Sequence, residues 1–199
     1  MSQIIKKIQH AADAVSAICR AYVSFAKVHG VVEAFQAPRA RFDVECRDAA
    51  GNLKWSTVAY NLVTTVGKND LLDKYLSGSA YTAAWFCGLI SSVGYTAIAA
   101  GDTMASHAGW TEAGGTNAPT YTGNRPALAF AAASGGSKAT SSASSFTFTG
   151  AGTIKGMFGT SVTTKDGTAG ILYNAVLFSG GDRVVANADV VNVNVTYTA

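Results

Sequence analysis

The residues best suited to chemistry are Asp102, Ser106 and His107, which lie close together in the sequence. An aspartate, a serine and a histidine can form a hydrolytic triad, but the triad also needs an oxyanion hole and a nucleophile on a sharp turn. No G-x-S-x-G nucleophile elbow is present. We therefore expect Asp102 and Thr103 to cap a short turn, and His107 to lie beside Trp110 in a structural corner.

Two other patterns imitate functional sites. Residues 150–156 (GAGTIKG) resemble a dinucleotide-binding loop, but such a loop must open a helix, and strands are predicted on both sides of it. The acidic pairs Asp70/Asp73 and Glu45/Asp48 could serve as glycosidase carboxylates, yet each pair is isolated at a position where surface or capping charge is expected. We predict no catalytic residue, no metal site and no cofactor, and therefore no enzymatic activity.

The composition indicates a folded protein with few charges. Of 199 residues, 48% are hydrophobic and only 14% are charged, against roughly 25% charged residues in an average soluble protein. The formal net charge of +3 is small for a nucleic-acid-binding protein, so we expect no direct nucleic-acid partner. Cys19, Cys46 and Cys87 form no CxxC pair and have no zinc-ligand spacing, which predicts three free thiols in apolar positions.

No segment is expected to enter a membrane. The most apolar windows, Tyr81–Ile90 and Ile171–Phe178, are as long as strands and too short to span a bilayer. The N-terminus superficially suggests a signal peptide, but Asp13 and Arg20 interrupt its apolar stretch. We expect the protein to stay where it is made or to leave by a route that needs no signal.

Residues 1–41 differ from the remainder of the chain. They hold six Lys/Arg and two acidic residues, whereas residues 42–199 hold nine basic and ten acidic residues. Apolar residues recur at intervals of three and four, which predicts an amphipathic helix over Ser2–Val28 followed by a linker. We call its principal partner-binding candidates the arm stripe: Ile4, Ile8, Val15, Ile18, Tyr22 and Phe25. The arm stripe is expected to dock on a protein partner or to bundle copies of the chain.

From Phe42 onward the apolar period changes to two, which predicts strands. A strand at residues 42–47 and a turn at residues 48–52 indicate a hairpin, and glycine-rich turns separate the later strands. One short helix is predicted over Lys68–Leu76, capped by Asn69 or Asp70 and burying Leu71, Leu72 and Tyr75. The fold class is mainly β, a β-sandwich or jelly-roll-like domain over 42–199 preceded by the N-terminal helix.

Residues 42–198 resemble a group of small virion structural proteins of tailed double-stranded-DNA bacteriophages. The resemblance covers about four-fifths of the chain and lies in ordered segments that include FDVECRDAAGNLKW (42–55), NLVTTVGKNDLLDKYLSG (61–78), YTAAWFCGLI (81–90), AGDTMASHAGWTE (100–112), YTGNRPALAF (121–130), SFTFTGAGTIKGMF (145–158) and ILYNAVLFSGGDRVVANADVVNVNVTYT (171–198). Residues 1–41 have no counterpart in it.

The resemblance implies a capsid cement or decoration protein, located in the virion and binding the lattice of the major capsid protein. It agrees with the predicted β-sandwich, and a homo-oligomer, a dimer or a trimer, is expected. An alternative is a tail or fibre-associated appendage protein that binds a host surface. A shaft of heptad repeats would favour that alternative, and no heptad run is visible beyond residue 28.

Overall fold

The computed structural model describes residues 39–60, 62–78, 80 and 84–198, within a compact unit that spans Pro38–Ala199. The predicted helix Ser2–Val28 and the arm stripe lie outside the described residues. Residues 39–41, which we expected in the linker, begin the first strand.

The elements in chain order are β1 (Arg39–Arg47), β2 (Leu53–Tyr60), β3 (Leu62–Val63), α1 (Thr65–Leu76), β4 (Phe86–Ser91), β5 (Glu112–Gly114), β6 (Asn117–Thr120), β7 (Ser137–Ala139), β8 (Ser144–Thr147), β9 (Gly152–Thr160), β10 (Leu172–Leu177), β11 (Arg183–Val185) and β12 (Val190–Thr198).

The first sheet has the order β2-β1-β12-β7, and β8 also pairs with β12. Its pairs are antiparallel. Alternating residues of β1 face the core, so Phe42, Val44 and Cys46 are buried, as their period of two predicts. The predicted β1–β2 hairpin is also confirmed, and its turn is held by the Asp48 carboxylate, which accepts the backbone N–H of Asn52 at 2.9 Å.

The second sheet has the order β3-β10-β9-β4-β5-β6, and β11 pairs with one end of β9. Residues 127–132 form no strand, and Ala127 and Phe130 take part only in isolated bridges. Buried residues from both sheets join one hydrophobic core, with Phe42 and Phe146 from the first sheet and Leu89 and Met157 from the second. The described chain is therefore mainly β, with two sheets.

A smaller apolar cluster includes Ile90, Phe158 and Trp110. Ile90 and Phe158 each follow a residue of the main core, and successive side chains of a strand point to opposite faces. The smaller cluster therefore lies on the other face of the second sheet, beneath the segment that carries Trp110. Two of the three predicted free thiols, Cys46 and Cys87, are buried, whereas Cys19 lies outside the described residues. Burial raises the pKa of each of the two thiols to about 12.

A buried ion pair joins β5 to the loops beside it. The Arg125 guanidinium donates to both Glu112 carboxylate oxygens, at 2.7 and 2.6 Å, and the two side chains are only 1% and 4% exposed. Arg125 also donates to the Val162 carbonyl at 2.9 Å, and the Asp166 backbone N–H donates to Glu112 at 2.7 Å. The pair therefore fixes two loops on the edge of the second sheet.

Replacing Glu112 by Gln should lower the free energy of unfolding by about 3–5 kcal/mol, because the substitution leaves the Arg125 charge buried without a counter-charge. Urea denaturation at pH 7 measures the loss. The control is Asp43→Asn, which breaks the exposed Arg41–Asp43 pair and should cost at most about 1 kcal/mol. Equal losses in the two variants would contradict the assignment.

Candidate binding groove

An open groove with an aromatic floor lies beside α1 and has a volume of about 260 Å³. Its floor is formed by Trp85, Phe130, Tyr173 and Tyr197, and its rim by Asp70, Leu71, Lys74 and Lys138. We call it the aromatic groove. Its lining residues come from segments far apart in the sequence, and only the folded chain brings them together.

The four aromatic rings contact one another in a row. Trp85 meets Tyr173 edge-on with 5.2 Å between ring centroids, and Tyr173 meets Tyr197 at 5.5 Å. Phe130 follows at 5.6 Å from Tyr197. Edge-to-face and tilted contacts at these distances are favourable for aromatic rings. Tyr173 belongs to β10 in the second sheet and Tyr197 to β12 in the first, so the aromatic groove lies where the two sheets approach each other.

A buried amide holds Tyr197 in place. Asn174 is fully buried, and its side-chain amide donates to the Tyr197 hydroxyl at 2.9 Å. The Asn174 amide oxygen in turn accepts the backbone N–H of Gly159 at 2.9 Å. Burial raises the pKa of Tyr197, and it also raises the pKa of Tyr173. Both phenols are therefore neutral at physiological pH, and the floor offers uncharged ring surface.

Helix α1 begins beside β10. The N-cap is Thr64, whose hydroxyl accepts the backbone N–H of Gly67 at 3.0 Å. The backbone N–H of Thr64 donates to the Tyr173 carbonyl at 3.1 Å. The prediction of Asn69 or Asp70 as cap is wrong, because a threonine upstream satisfies the first turn and the helix starts earlier than expected.

The side of α1 that faces β10 is the side carrying Gly67. Gly67 is the buried residue of this helix, and a β-carbon added there would lie 2.3 Å from the Tyr173 carbonyl oxygen. No larger residue permits this approach without moving the backbone. Asp70 and Lys74 are half-buried on the same side, and they pair with each other at 3.2 Å.

The apolar residues in the second half of α1 are exposed. Leu71, Leu72, Tyr75 and Leu76, which we call the helix stripe, are 44%, 52%, 86% and 72% exposed. The prediction that Leu71, Leu72 and Tyr75 form the buried side is therefore wrong. The reason is the Gly67 contact, which sets the rotation of the helix about its axis. Since Leu71 also lines the aromatic groove, the two surfaces are continuous.

The remaining candidates for chemistry have structural roles. The Trp110 indole donates to the Asp102 carboxylate at 2.9 Å, and His107 stacks on Trp110 with 4.0 Å between ring centroids. The predicted corner is thus confirmed. Residues 148–151 connect β8 to β9, and the glycine-containing stretch 150–156 continues into β9 without opening a helix. Among the described residues no group of three or more His, Cys, Asp or Glu is placed to hold a metal ion.

Sequence reasoning did not find the aromatic groove. The site residues proposed from the sequence, the arm stripe, lie outside the described residues, and their role stays a prediction. Trp85 packs against the main core and is half-buried, so that it also lines the aromatic groove. Gly67 is the signal that could have pointed to it, because an interior helix glycine often marks close packing, but the predicted helix begins only at Lys68.

No protein-family model and no curated protein matches the chain. In the described part of the chain, no helix has the length and apolar character needed to cross a membrane.

Replacing Gly67 by Ala should destabilise the protein, although alanine within a helix normally stabilises it by up to about 1 kcal/mol. The added methyl group would collide with the Tyr173 backbone, and overpacking typically costs about 1–3 kcal/mol. Thermal unfolding measures the change, and Asn69→Ala, at an exposed position of the same helix, is the control. A Gly67→Ala variant as stable as this control would show that the close approach does not exist.

Proposed function

We propose that the chain is a non-enzymatic virion structural protein, a capsid cement or decoration protein that binds and stabilises the head shell of a tailed bacteriophage. The ordered resemblance of residues 42–198 supports this proposal, and so does the mainly β fold. We further propose that the two sheets form a β-sandwich or jelly-roll-like domain. Its place of action is then the virion, assembled in the host cytoplasm.

The observation that carries the proposal is the continuous apolar surface made by the helix stripe and the aromatic groove. Monomeric soluble proteins rarely expose large contiguous apolar patches, and such patches often mark protein-binding sites. The outer face of the first sheet is different, since Asp43, Glu45, Asn192 and Asn194 lie there on neighbouring strands. The outer face of the first sheet is therefore suited to contact with water, and the apolar surface is suited to binding a protein partner.

On a shell of many identical subunits, several weak contacts together can give firm attachment. If copies of the chain form dimers or trimers, several contacts engage one lattice and raise the effective concentration of each. The few charges of the chain limit repulsion between crowded copies. The arm stripe belongs to the same proposal as a second attachment to the major capsid protein or as a bundle between copies. No direct nucleic-acid or membrane contact is part of it.

The alternative is a tail or fibre-associated appendage protein that binds a host surface. One observation favours it, namely that Trp85 lies outside the strands and presents a half-buried aromatic side chain in the groove. Aromatic side chains on loops are suited to surface recognition.

The copy number of the chain in purified particles distinguishes these functions. Quantitative mass spectrometry, normalised to the major capsid protein, should give on the order of hundreds of copies, because closed shell symmetry repeats each site. A handful to a few dozen copies would instead assign the chain to the tail or its fibres. Absence from the particle would contradict both functions.

A further inference from the structure

We propose that the aromatic groove receives a peptide segment of the protein partner in which one large apolar side chain is flanked by Asp or Glu. This inference rests on the proposed function, since it names the chemistry of the partner that the apolar surface binds. The size of the groove, the uncharged aromatic rings of its floor and the charges on its rim support the inference.

The size of the aromatic groove fits one anchoring side chain. Pockets for whole small-molecule ligands typically measure about 300–1,000 Å³, and a cavity of about 150 Å³ accommodates benzene. At about 260 Å³, the groove holds a single leucine, phenylalanine or similar side chain together with part of its backbone. Binding by one buried apolar anchor is common at protein interfaces.

The floor favours an apolar group over a polar one. The Tyr197 hydroxyl is engaged by Asn174, and its neighbours Trp85 and Phe130 present ring surface. A sugar or a nucleobase needs hydrogen-bond partners around its stacking surface, and the charged groups of this groove, Asp70, Lys74 and Lys138, lie on its rim. An apolar side chain needs only to be removed from water, which the Leu71 wall and the aromatic rings provide.

The rim favours negative charge beside that anchor. It carries Lys74 and Lys138 against Asp70, so that its formal charge is +1. Lys74 pairs with Asp70, whereas the Lys138 ammonium donates to the Ala131 carbonyl at 2.9 Å. Among the described residues, no carboxylate lies within ion-pair distance of Lys138. Because an ammonium has three donors, Lys138 retains the capacity to bind a carboxylate of the partner.

Three capped peptides test the inference by NMR titration of the full-length chain: acetyl-Glu-Phe-Glu-amide, acetyl-Gln-Phe-Gln-amide and acetyl-Glu-Gly-Glu-amide. The first should give saturable shifts of the Trp85 indole resonance, and it should bind about two- to five-fold more tightly than the second, since an exposed ion pair contributes modestly. The third should give no saturable shift. Lys138→Gln should remove the preference for the first peptide, whereas Lys68→Gln, at an exposed position of α1 outside the groove, should retain it.

Equal binding of the first two peptides, or no shift of Trp85 with either, would overturn the inference. The outcome of the copy-number measurement is independent of the outcome of the peptide titration. A chain present at hundreds of copies that binds no peptide would retain the proposed function and lose this inference, and a chain absent from particles that binds the acidic peptide would do the reverse.

Discussion

The close approach of Gly67 to the Tyr173 backbone is the contact on which the candidate site depends. Because Gly67 has no side chain, α1 can lie directly on β10, with Thr64 bonded to the same stretch of strand. This contact decides which side of the helix faces the domain. It places the charged pair Asp70–Lys74 inward and leaves Leu72, Tyr75 and Leu76 exposed, and it brings Leu71 to the wall of the aromatic groove.

The two sheets and their buried polar groups position the residues of this surface. Tyr173 and Tyr197 come from different sheets, so the floor of the groove keeps its shape only if the sheets keep theirs. The buried Asn174 amide links these strands through hydrogen bonds, and the Glu112–Arg125 pair fixes loops at the far edge of the second sheet. Fully satisfied buried polar groups of this kind favour one arrangement over its competitors.

The sequence predicts the strands well where their pattern is strict. The alternation in β1 and β12 identifies the buried residues Phe42, Val44, Val193 and Val195 correctly, because a half-buried strand leaves a period of two. The existence of α1 is also predicted, but its orientation is not. A hydrophobic stripe normally marks the buried face, and here a single contact between residues far apart in the chain overrides that rule. The groove is unpredictable for the same reason, since its parts meet only after the sheets have formed.

We propose that the helix stripe binds the particle, and the double variant Leu72→Gln/Tyr75→Gln, which replaces two of its side chains, should weaken that binding. Full-length protein would be titrated onto particles assembled without it, with Leu53→Gln, an exposed leucine outside α1, as the control. The double variant should melt within a few degrees of the wild type, because both side chains are exposed, and its affinity for the particle should fall about tenfold or more. Full occupancy of the particle at wild-type affinity by a folded double variant would show that the helix stripe is not the binding surface.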